Sequence, residues 1–112
     1  MTKVILLEPT RLNVTALSEW GDVTTLFPAG QRRPSVWSAE LREAVLARLE
    51  EARFDPASDY VALVGGSAML AVLLSCVLSV SARATLLAYD PPSGNYVTVQ
   101  ITTERRDVER VS

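Results

Sequence analysis

Residues 60–82 read YVALVGGSAMLAVLLSCVLSVSA, a run of 23 positions without a charge. A run of that length can cross a bilayer as one helix. Its internal punctuation favours a different reading. Gly65-Gly66-Ser67 divides it into a strand-like piece and a helix-like piece, and four serines and Cys76 dilute its hydropathy. Tyr60-Val61-Ala62-Leu63-Val64 has no polar alternation, which is the pattern of a strand buried on both faces near the middle of a parallel sheet. Ser67 to about Ser81 then reads as a buried helix. A strand, a glycine turn and a helix make one half of a β-α-β unit.

The same grammar extends in both directions. Downstream, Ala84–Tyr89 reads as a strand and Pro91-Pro92-Ser93-Gly94 as a turn. Tyr96–Ile101 then alternates, as an antiparallel strand at a sheet edge does. Upstream, Ser38 to about Arg53 is a helix with Ser38 as cap and Glu40 in the positive first turn. Its buried stripe is Leu41, Val45, Leu49 and Ala52. Lys3–Leu7 and Val23–Phe27 are strands, each closed by a proline, and a short helix is expected around Thr15–Trp20. The order β-β-α-β-α-β-β predicts a small Rossmann-like α/β domain in two or three layers. Its mainly parallel sheet has four to five strands and two main helices, and it ends in an antiparallel hairpin.

With 112 residues the chain is read as one domain over 1–101, followed by a charged tail over 102–112. Its 48 % hydrophobic and 21 % charged content is that of a globular protein. A net charge of −2 gives no footing for duplex DNA as a partner. The split of residues 60–82 into strand and helix makes a membrane an unexpected partner as well. Cys76 is the single cysteine, so no disulfide forms within the chain and a reducing, cytoplasmic setting is expected. Histidine is absent, which removes the commonest general base and the commonest transition-metal ligand. No metal, no cofactor and no catalytic residue are predicted.

Three features could carry function. The first is Gly65-Gly66-Ser67, where amides at a helix N-terminus and glycines that permit close approach could hold an anion. The alternative is a tight turn with Ser67 as cap. The second is the loop from Pro28 to Trp37, in which Arg32, Arg33 and Trp37 combine phosphate-binding and stacking chemistry. If the first three strands are parallel, this loop shares one end of the sheet with Arg11 and the glycine turn, and together they form a positive rim. The alternative makes the loop a solvated connection with Trp37 as a hydrophobic plug. The third is the small-residue stripe Ala68, Ala71, Ser75 and Ser79 on the second main helix, which could pack against a partner or a second copy. The alternative is that the first helix and the Leu12–Trp20 segment cover it. Glu8 and Asp90 could also approach one another across a sheet edge.

The general look, one compact α/β domain without a catalytic signature and with a charged tail, is similar to that of short accessory proteins of bacterial viruses and mobile elements. That resemblance transfers no site. The expected function is a non-enzymatic interaction or regulatory protein that docks onto a macromolecular partner or self-assembles as a homodimer or larger. The alternative is a module that senses a nucleotide or other anion at the glycine turn and the arginine loop. A phosphoester- or nucleotide-processing enzyme stands third.

Overall fold

The computed structural model describes residues 2–9 and 14–103. Five strands form one sheet: β1 (Lys3–Leu6), β2 (Asp22–Thr25), β3 (Tyr60–Ala62), β4 (Arg83–Asp90) and β5 (Asn95–Thr102). Three helices connect them: α1 (Val14–Ser18), α2 (Glu40–Glu51) and α3 (Ser67–Val80). The strand order is β2-β1-β3-β4-β5. β1 to β4 are parallel, and β4–β5 is an antiparallel hairpin. The mixed α/β class, the mainly parallel sheet and the closing hairpin are therefore as the sequence predicts. The uncharged run is resolved into β3 and α3, and no helix among the described residues is long and apolar enough to cross a membrane.

Both central strands are buried on both faces, which explains their lack of alternation. Ile5 and Leu7 of the first segment join Val61, Leu86, Leu41, Val45, Leu73 and Val77 on the side of α2 and α3. Val4 and Leu6 point the other way, to Leu17, Ala62, Val64, Leu87 and Tyr96. Among the described residues, that second face is covered by the five-residue α1, with Trp20 edge-on to Tyr60 and ring centroids 5.5 Å apart, a thinner layer than α2 and α3 make on the other face.

Most helix and strand ends differ from the sequence reading by one or two residues. α2 begins at Glu40, with Ala39 at the cap position and no side-chain cap there. The Ser38 hydroxyl instead accepts the Glu40 N–H at 3.1 Å. α2 ends two residues early because Arg53 takes a left-handed conformation, φ 54°. The Phe54 N–H then donates to Leu49 O and the Arg53 N–H to Glu50 O, which closes the last turn.

Two contacts set the register at the amino ends of the parallel strands. Asp59, immediately before β3, is 2 % exposed and accepts the backbone N–H groups of Lys3 at 2.8 Å and Asp55 at 2.7 Å. Its carboxylate also meets the Lys3 ammonium at 3.1 Å. Gly21 supplies the second contact. The Asp22 N–H donates to Thr2 O at 3.0 Å, and a Cβ on Gly21 would stand 2.6 Å from that same oxygen. Because the obstacle is backbone, it cannot rotate away. Gly21→Ala is expected to lose about 2 kcal/mol of stability by forcing β2 off β1, measured as a lower urea midpoint with an unchanged slope. An unchanged midpoint would show that the strand end yields freely.

Candidate functional rim at the carboxyl end of the sheet

An open parallel sheet offers ligands or partners the crevice beyond the carboxyl ends of its strands, where the strand order reverses. Here the order 2-1-3-4-5 places that reversal between β1 and β3. The segments that leave β1, β2 and β3 at this end are Glu8-Pro9, the loop from Pro28 to Trp37, and Gly65-Gly66-Ser67. Parallel pairing thus brings the arginine loop and the glycine turn to the same end of the sheet, as expected from the sequence. Arg11, the third component of the expected rim, lies outside the described residues.

The glycine turn is open. Gly65, with φ at +135°, has nothing within 4 Å of where a Cβ would sit, and neither has Gly66. Gly65, Gly66 and Ser67 are all exposed. Gly66 holds the cap position in an extended conformation, and Ser67 is the first helical residue, so the serine cap does not form.

The two arginines differ in surroundings. The Arg33 Nε–H donates to a Glu8 carboxylate oxygen at 2.8 Å, and Nη1 donates to Pro34 O at 3.0 Å. This ion pair, 25 residues apart in sequence, ties the arginine loop to the end of β1. An anion would have to compete with Glu8 for Arg33. Arg32 is exposed. The expected approach of Glu8 to Asp90 does not occur, because β3 stands between β1 and β4.

Trp37 corrects the plug reading. It is 90 % exposed, and Val36 packs on the core in its place. Behind it, the loop is anchored at both ends. Phe27 is buried at its start, with the Arg48 guanidinium of α2 5.3 Å from its ring centroid. At the other end the Ser38 N–H donates to Ser35 O at 2.9 Å, and the Trp37 N–H donates to the Ser35 hydroxyl at 3.2 Å. An exposed tryptophan on an anchored loop, with Arg32 in the same loop, combines the two residue types that most often dominate binding energy at protein interfaces.

The small-residue stripe of α3 stands apart from this rim. Ala68, Ala71, Ser75 and Ser79 are all exposed. Ala16, Leu17 and Trp20 lie on the opposite face of the sheet, so the described part of the Leu12–Trp20 segment does not supply the alternative covering of the stripe. α2 reaches it at one point, where Arg42 Nη1 donates to the Ser75 hydroxyl at 2.6 Å. Cys76 beside it is fully buried, and burial pushes its thiol pKa up, only partly offset by the Arg42 charge. It is an inert core residue. The sequence reading did not single out Asp59 or the Glu8–Arg33 pair. The available signal for Asp59 was a carboxylate directly before a central strand, with the only lysine at the start of the neighbouring one.

Fold and rim together define a small α/β protein with an aromatic and arginine loop at the carboxyl end of its sheet, tied to the end of β1. The family comparison places it further: the chain belongs to the Phage Pam3 gp32-like protein family, whose model matches residues 7–103. It is thus a small phage-related protein. No curated protein and no solved structure matches it.

Proposed function

We propose that the chain is a non-enzymatic accessory protein that works by docking onto another macromolecule or onto copies of itself. The observation that carries this reading is Trp37, exposed to 90 % at the carboxyl end of the sheet on a loop fixed at both ends. A large apolar ring held in water on an anchored scaffold gains free energy when a partner covers it, and little ordering entropy is lost because the loop is already set. Membership of a phage-protein family accords with an accessory role. The pairing of Arg33 with Glu8 weighs against the anion-sensing alternative.

Native mass spectrometry of gently purified protein, wild type beside Trp37→Ala, tests the reading. A complex of fixed stoichiometry that dissociates in the variant is the expected result. A bare monomer that keeps a phosphate-bearing small molecule, lost in the Arg32→Ala/Arg33→Ala double variant, would replace docking with anion sensing.

A further inference from the structure

The backbone brings Glu8 and Arg33 together. Leu26 and Phe27 donate their N–H groups to Leu6 O at 2.8 Å and Leu7 O at 3.0 Å, so the pairing of β1 with β2 runs on and leaves Glu8 beside the start of the arginine loop. Pro28-Ala29-Gly30-Gln31 then turns, with the Gln31 N–H on Pro28 O at 3.1 Å and Gly30 at φ 86°. Glu8 and Arg33 each precede a proline, which disfavours helical backbone at both. Their side chains are 40 % and 28 % exposed, so the ion pair lies where a ligand has access to it. Arg32, in contrast, is exposed and has no ion pair among the described residues.

We infer that Glu8 is a specificity residue, whose carboxylate occupies Arg33 and keeps phosphate-bearing ligands, nucleic acid above all, off the rim. The inference rests on the docking reading and narrows its partner to a protein surface that covers Trp37. By composition the loop is a phosphate site, with two adjacent arginines and a tryptophan able to stack a base. A guanidinium holds a phosphate best through two parallel N–H bonds. Here Glu8 takes the Nε–H at 2.8 Å, where a phosphate oxygen would bind, and Pro34 O takes an Nη1 donor at 3.0 Å.

The carboxylate also compensates the charge of Arg33. Sequence-independent affinity for a phosphate backbone grows with the number of free cations, and the pair leaves the loop with Arg32 alone. Trp37 has no part in the pair and stays 90 % exposed, so its contact with an apolar protein surface is untouched. The same device that weakens a phosphate ligand therefore leaves a protein partner its anchor.

The test uses the full chain and a fluorescent oligothymidylate of about twelve nucleotides, with binding read by anisotropy between about 20 and 200 mM salt. Wild type is expected to bind weakly. Glu8→Gln releases Arg33, and one added phosphate contact steepens the fall of log affinity with log salt by about 0.7, or about tenfold in affinity at the low-salt end. The double variant Glu8→Gln/Arg33→Gln should return to the wild-type level. Glu8→Ala repeats the comparison, and circular dichroism checks that each variant stays folded. No gain in either Glu8 variant overturns the inference. A gain that the double variant keeps also overturns it, since Arg33 would not be the group released, and so does tight binding by wild type. The oligonucleotide assay does not involve the Trp37-dependent complex, so docking stands or fails on its own measurement.

Discussion

Asp59→Ala is expected to lower the unfolding free energy by about 3–4 kcal/mol at neutral pH, the scale for removing one member of a buried ion pair. The carboxylate gathers three donors: the backbone N–H groups of Lys3 and Asp55 and the Lys3 ammonium. Truncation leaves two part-buried amides without this acceptor and a partly buried ammonium without its counter-charge. Asp59→Asn keeps one carbonyl oxygen and is expected to lose less, about 2 kcal/mol. The effect depends on pH with a definite sign. Burial on its own raises the Asp59 pKa, but the amides of Asp55 and Lys3 and the Lys3 charge outweigh it, and the folded-state pKa lies below the ordinary value. A carboxylate with a lowered folded pKa contributes its stability in full above the unfolded pKa of about 3.9 and loses it as pH falls through the folded value. Urea titrations of wild type and Asp59→Ala should therefore differ most above the unfolded pKa and converge as pH falls through the lowered folded value. A gap that persists unchanged into acid would show that packing, not charge, accounts for the loss.

Leu73→Ala and Ala71→Leu, two positions apart on α3, are expected to behave oppositely. Leu73 is fully buried between the helical layer and the sheet, so its truncation leaves a cavity and should lose about 3 kcal/mol. Ala71 is exposed, and the added side chain should change stability by less than about 0.5 kcal/mol. Thermal melts of the two variants check this directly. A large loss for Ala71→Leu in the monomer would mean that α3 is covered on its outer side by something within the chain.

This contrast shows where the sequence stopped. Every face of α3 carries Ala, Leu, Val, Met or Ser, so hydropathy alone could not say which side meets the sheet. Strand β3 was readable for the opposite reason: five apolar residues between a polar turn and a glycine pair need burial on both faces, and only a central strand offers that. The alternation of Tyr96–Ile101 likewise identified an antiparallel edge. Its valines could not be recognised as exposed, because the alternating pattern assumes that the apolar face is covered.

At the rim, residue types were legible and their pairings were not. Arg32, Arg33 and Trp37 stand out in any reading of the loop from Pro28 to Trp37. The guanidinium of Arg33 is held by Glu8, 25 residues earlier, and Trp37 yields the core position to Val36. Both outcomes are contacts between the loop and segments outside it, the end of β1 for Arg33 and the core for Val36. The sequence alone determined the element order, the mainly parallel sheet and the closing hairpin, because burial periodicity, glycine turns and proline stops are local signals. Only the tertiary structure decided which face of α3 is covered, which arginine is paired and which carboxylate is buried. Those outcomes depend on contacts between segments far apart in the chain, where geometry selects the partner and composition does not.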